Sequence, residues 1–217
     1  MANNVGSFGV KYARIAVLDS NEQVNKTAFG SFTNGVTNGI FKADENTARG
    51  ITVGNITGLA PNSSDVYGSN IKIGTIRNGV GNPSATLTFN DFPMEVLHVV
   101  TGYTVDENGI ATLGADNKAP YCAVELVSTD WDGNDLHFAL LKGLFSPVEH
   151  DLQTDNESKQ HATVSFNFAG SARLSDRKAF AEINAGDPKF DQAKWDSFVF
   201  PGVTSSTGTV SSGTVHS

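Results

Sequence analysis

Ala162-Thr163-Val164-Ser165-Phe166-Asn167-Phe168-Ala169-Gly170-Ser171-Ala172-Arg173-Leu174 is the run that decides how the rest of the chain is read. Even positions are apolar or small and odd positions nearly all polar. A period of two marks a strand with one buried face. After a charged turn, Phe180-Ala181-Glu182-Ile183-Asn184 reads as a second, shorter strand. Asp187-Pro188-Lys189-Phe190-Asp191-Gln192-Ala193-Lys194-Trp195-Asp196 reads as a capped helix, and the apolar run Phe198-Val199-Phe200 stops at Pro201-Gly202. Trp195, Phe198 and Phe200 are the expected packing anchors of this ending. Its residues suit packing and edge pairing, which points to a protein that works by shape and self-association.

Composition agrees. A chain of 217 residues fits one sizeable domain, here placed at 1–202, with a real core. Charged residues make up only 18% and Gly numbers 22, the balance of a mainly β protein with many turns. The net charge of −8 excludes holding nucleic acid by counterion release, yet an acidic wall lets DNA pass without trapping it. A single cysteine, Cys122, rules out an internal disulfide framework and reads as a small buried hydrophobe. The start, Met1-Ala2-Asn3-Asn4-Val5-Gly6, is read as lacking a secretory signal, and no window approaches a membrane span. The expectation is a protein made in a cytoplasm.

Outward from the ending, strands are expected over Val10 to Leu18, Ile51 to Leu59, Ile71 to Ile76 and Ala85 to Phe89. Hairpins are expected at Tyr103 to Leu113, turning about Glu107-Asn108-Gly109, and at Tyr121 to Leu141, turning through Asp130 to Asp135. Between Asp91 and Gly102 a proline in the first turn and a terminal glycine frame a short helix, with Met94, Leu97 and Val100 on its packed side. Residues 23–49 form an excursion without sustained period: Phe29, Phe32, Ile40 and Phe41 stand among two Asn-Gly turn signals. Such hydrophobes either tuck onto their own core or insert into a neighbouring copy. Residues 203–217 form a Ser/Thr/Gly-rich arm, either disordered or able to add to a neighbour's sheet.

No catalytic constellation emerges. The histidines (His98, His137, His150, His161 and His216) are scattered without ligand spacing. Asp130-x-Asp132-x-Asn134 faintly echoes a calcium loop, but its glycine is misplaced and no bidentate Glu follows, so a plain turn is the better reading. No P-loop lysine or nucleophile elbow is present. No enzyme activity, cofactor or metal is expected.

Several residues together carry a resemblance. They are Gly9-Val10-Lys11-Tyr12-Ala13, Ile56-Thr57-Gly58-Leu59, Val66-Tyr67-Gly68-Ser69-Asn70, the unit from Leu87-Thr88-Phe89-Asn90-Asp91-Phe92-Pro93 to Gly102, and Asp187-Pro188-Lys189-Phe190-Asp191 through Trp195 to Val199-Phe200. In that order they resemble the major tail (tail tube) proteins of long-tailed phages of Gram-positive bacteria, most closely the phi13-type family. The resemblance spans most of residues 8–202. It implies a β-sandwich of two packed sheets with a flanking helix. Six copies would continue their sheets edge to edge into a ring, and rings would stack into a hollow tube in the virion tail. DNA, and a tape measure protein before it, would pass through, and terminator and distal tail proteins would be partners.

On that reading, Phe29, Phe32, Ile40 and Phe41 are candidates to bridge successive rings, each burying ~1.5–3 kcal/mol of apolar surface. Candidates to line the bore are the uncharged solvent faces of two strands: Ser84, Thr86, Thr88 and Asn90, and Thr163, Ser165, Asn167 and Ser171. Glu125 is a candidate for added negative field, because Val124 and Leu126 point the other way. The competing class is a monomeric carbohydrate-binding β-sandwich using exposed aromatics, for which Trp131 and Trp195 are the only tryptophans. A glycosidase on the same architecture would need a rigid carboxylate pair, and none stands out.

Overall fold

The computed structural model describes residues 6–61, 63–77, 79–149 and 163–203. His150, His161, His216 and the expected arm from 204 onward lie outside them. In chain order the elements are β1 (Ser7–Val17), β2 (Val36–Thr37), β3 (Ile40–Ala43), β4 (Ile51–Thr57), β5 (Ser63–Gly68), β6 (Ile71–Arg77), β7 (Ser84–Phe89) and α1 (Met94–Thr101). They continue with β8 (Thr104–Val105), β9 (Ala111–Thr112), β10 (Cys122–Asp130), β11 (Asp135–Phe145), β12 (Val164–Gly170), β13 (Phe180–Asn184) and α2 (Gln192–Val199). The protein is mainly β, with two short helices.

One nine-stranded antiparallel sheet carries the fold, in the order β2-β3-β1-β10-β11-β12-β7-β4, with β13 also paired to β11. The long β11 joins its two halves. Leu136 to Leu140 pair with β13, and Gly143 to Phe145 pair with β12. Gly143 is needed there, because a Cβ would meet Ala169 O at 2.4 Å and the Phe168 ring at 2.5 Å. The sheet folds over so that the inner side chains of both halves meet, giving the expected two layers from one continuous sheet.

Between the layers lies the main core. Ile15, Leu87, Phe89, Val96, Phe145, Phe166 and Phe168 are buried in it. Phe92 sits 4.9 Å from Phe89, 4.7 Å from Phe166 and 5.5 Å from Phe41, ring centre to ring centre. A second cluster lies on the other face of β1, β10 and β11, where Trp195, Val199 and Phe200 cover Ala16, Ala123, Ala139 and Leu141. Strands β10 and β11 are therefore buried on both faces.

The sequence and the structure part at definite places. The alternation that begins at Val164 ends at Gly170: Arg173 turns inward and Leu174 outward, so the last residues are a turn. Arg173 bonds Asp176 and the Phe198 carbonyl, which reverses the phase. In α1, Val96, Leu97 and Val100 are buried while Met94 is 67% exposed, because the packed side of the helix runs through Val96, Leu97, Val100 and Thr101 and leaves Met94 off it. Gly102 closes α1 at φ +80°, its N–H reaching the carbonyls of His98 and Val99. Helix α2 begins at Asp191, which accepts from the N–H groups of Ala193 and Lys194, and it absorbs Phe198 and Val199.

In the excursion 23–49 the ring-bridging candidates pack within the chain itself. Asn38 and Gly39, at φ 52° and 80°, turn β2 into β3, and β3 pairs with β1. Strand alternation then sends Phe41 into the main core beside Ile15 and Ile40 under α2 beside Ala16. Phe29 is buried 6.4 Å from Phe41, and the half-buried Phe32 packs 6.2 Å from the same ring. Phe29, Ile40 and Phe41 are thus buried within the chain, and Phe32 keeps part of its surface exposed.

Candidate bore-lining face

Strands β4, β7 and β12 are neighbours at one end of the sheet, and their registers line up residue by residue. Ser84, Thr86 and Thr88 stand opposite Ala169, Asn167 and Ser165 on one side, and opposite Thr57, Asn55 and Val53 on the other. The alternate positions Ala85, Leu87, Phe89, Phe166 and Phe168 face the core. Period two has thus placed two polar stripes next to each other, and β4 adds a third.

The face is knitted across its strands. Thr88 Oγ1 and Ser165 Oγ lie 3.0 Å apart, and Thr57 Oγ1 and Ser84 Oγ 2.9 Å. Thr86 Oγ1 donates to Asn167 Oδ1 at 3.3 Å, and Thr52 Oγ1 to the Thr88 carbonyl at 3.1 Å. No charged side chain stands at any of these nine cross-strand positions. Thr163 and Ser171 are exposed just beyond the ends of β12. At the β7 end, Asn90 donates to the Arg49 carbonyl at 3.0 Å, beside the Arg49–Asp91 ion pair at 3.3 Å. Seven of the nine positions carry hydroxyl or amide side chains, and the other two are Val53 and Ala169.

Glu125 is elsewhere. Its side chain does point away from Val124 and Leu126, but that side of β10 is covered by α2, and Glu125 is fully buried. It is the hub of a polar network that composition and motifs did not reveal. His137 Nδ1 lies 2.8 Å from Glu125 Oε1, Trp195 Nε1 donates to the same oxygen at 2.5 Å, and Arg14 Nε pairs with Oε2. A second Arg14 nitrogen reaches Asp196 Oδ1 at 2.6 Å. Burial alone would raise the Glu125 carboxyl; the bonds from His137, Arg14 and Trp195 outweigh it and hold the group below its ordinary range. With its oxygens occupied and no path to solvent, this carboxylate ties α2 to β1, β10 and β11. A lone Glu inside an apolar run is the one sequence signal that marks such a hub.

The other titratable groups singled out also serve structure. Asp130 accepts from the N–H groups of Asp132 and Asn134 and from the side chains of Asn134 and Asn184, so the calcium-like spacing is a hydrogen-bonded turn. Among the described residues no three His, Cys, Asp or Glu side chains are grouped to hold a metal ion. Burial pushes the Cys122 thiol up, away from reactivity. Trp195 is buried in the second cluster, beside Val199 and Phe200. No described helix is long and apolar enough to cross a membrane.

Comparison with known proteins adds the family. No curated protein matches the chain. The family model described as phage tail tube protein matches residues 1–208. This mainly β chain, with its uncharged face on β4, β7 and β12, belongs to the phage tail tube protein family.

Proposed function

We propose that this protein builds the hollow conduit of a long-tailed phage. Six copies join by their sheets into a ring, rings stack, and the face of β4, β7 and β12 turns to the bore. The observation that carries the orientation is the absence of charge from nine adjacent positions in a chain with 15 basic and 23 acidic residues. A duplex sliding along hydroxyls and amides finds no fixed cation to hold its phosphates, so translocation is not slowed by counterion exchange. On this reading residues 1–202 act as one domain. The tube assembles around the tape measure protein in the cytoplasm of a Gram-positive host, between terminator and distal tail proteins.

The test puts charge on the face. Thr86→Lys with Asn167→Lys removes one cross-strand bond and sets two like charges opposite each other, so it should weaken the subunit slightly, yet leave fold and tube diameter unchanged, since both side chains point away from the core. DNA release from intact virions should slow on the order of tenfold or more, and raised salt should relieve the effect. Unchanged release kinetics in tubes carrying both lysines would place the bore on another face.

A further inference from the structure

Two features of the subunit lack partners among its described residues. The first is the hairpin β5–β6, which among the described residues pairs only with itself and makes no extensive contact with another strand or helix. A free two-stranded hairpin is marginal in water. Its polar side is held by Asp65, which pairs with Lys72 at 2.7 Å and accepts from Thr75 at 2.9 Å. Ile71, Ile73 and Ile76 nevertheless stand 67%, 68% and 52% exposed, with Ile73 lying over Gly68. Three β-branched core-type residues on one projecting hairpin form an apolar stripe that water does not favour.

The second feature is a seam. As the sheet folds over, β4 comes back alongside the first half of β1 without pairing to it. Strand β3 covers β1 only over Ala13 to Ala16, and β4 pairs only with β7. A Cβ on Gly54 would lie 3.4 Å from the Val10 side chain and 3.2 Å from that of Leu126 on β10, so β4 meets side chains here and not a backbone ladder. The seam opens into a groove of about 220 Å³ lined by Val10, Ile56, Leu126 and Phe138, with no charged group in it. A second groove, near α2, holds Arg14, Lys42 and Asp196 and would charge a heavy desolvation cost for apolar insertion. Open strand edges beside an uncharged apolar groove call for a cover.

We infer that the β5–β6 hairpin of one copy docks its isoleucine stripe into the β1–β4 seam of a second copy. The inference rests on the tail tube reading for the identity of the partner, since membership of that family implies association of like subunits. The chemistry matches on both sides: an uncharged apolar stripe meets an uncharged apolar groove flanked by free backbone edges. Hairpin and seam are different surfaces, so each copy both gives and receives. Such a contact is heterologous and propagates, as a tube requires, where a self-complementary patch would stop at a dimer.

The experiment compares the intact chain with Ile71→Ser/Ile73→Ser/Ile76→Ser by sedimentation and electron microscopy, with circular dichroism to check folding. Because those residues lie outside the core, the variant should keep the wild-type spectrum and melting curve yet remain monomeric where the wild type polymerises. A folded variant that polymerises like the wild type overturns the docking and leaves the tube reading standing. A wild-type chain that never associates overturns both. As a check independent of the triple variant, Ser7→Cys chains are mixed with Ile71→Cys, Ile73→Cys or Ile76→Cys chains, and assembled material is oxidised. At least one pair should form an intermolecular disulfide that neither partner forms alone; assembled material with no such disulfide at any of the three positions overturns the docking.

Discussion

Phe41 shows how much one residue's neighbours decide. Read in sequence, it is a hydrophobe in a Gly- and Asn-rich excursion, free to bury itself in its own subunit or another. In the structure it is fully buried, touching Phe29, Phe32 and Phe92. Phe41→Ala should therefore destabilise the isolated subunit by about 3–5 kcal/mol, measured by denaturant unfolding. A subunit of unchanged stability that fails only in assembly would return Phe41 to a bridging role. Glu125 was legible only as an oddity, because the residues that satisfy it come from β1, β11 and α2, far apart in sequence. Burial opposes ionisation of Glu22, but Lys142 at 2.8 Å and the Leu174 and Ser175 N–H groups bring its carboxyl from 4.5 down to about 2. The side chain of Asn184, followed by groups of the turn, holds Asp130 at about 2 against 3.8. Depressed folded values mean that the unfolded chain takes up protons first as pH falls. Stability should be level above about pH 5 and drop between roughly pH 4.5 and 2, as read by thermal melts across that range. A stability rising toward acid would contradict these pairings.

At the scale of elements, local pattern succeeded where one face met water and failed where none did. Strands β7 and β12 have one wet side and alternate cleanly, so their buried and exposed positions were readable residue by residue. Strands β10 and β11 are covered on both faces, and there the sequence shows an apolar run whose two sides cannot be told apart. The β2–β3 hairpin carried its signal in Asn38-Gly39, but strands of two and four residues gave no period to go with it. The free hairpin β5–β6 was half seen: β6 reads as a strand, while Ser-Ser-Asp at the start of β5 does not. Asp187 and Asp191 both suit a cap: Asp187 accepts from the Lys189 N–H in the turn before α2, and Asp191, through Ala193 and Lys194, caps the helix itself. Asp191→Ala should cost about 1 kcal/mol in unfolding experiments, since it leaves two N–H groups of α2 uncapped. A loss near zero would mean that the Glu125 network holds the helix without help from its cap.

For the whole molecule, the family and the fold point the same way. The chain is mainly β, built on one large sheet, and belongs to the phage tail tube protein family. The two stripes predicted to line a bore prove to be adjacent strands of one sheet, a juxtaposition that sequence order, with about 75 residues between them, does not announce. What lay beyond the sequence was the closure of the sheet: which edges meet, which stay open, and which hydrophobes the fold leaves outside. Those are properties of topology, set by the pairing of residues distant along the chain. On the function proposed, the chain itself assembles into a tube. Electron microscopy of the purified protein, concentrated and then seeded with sheared tail fragments, tests it most directly. The account predicts hollow tubes of stacked six-subunit rings; particles that stay monomeric at every concentration, seeded or not, would contradict it.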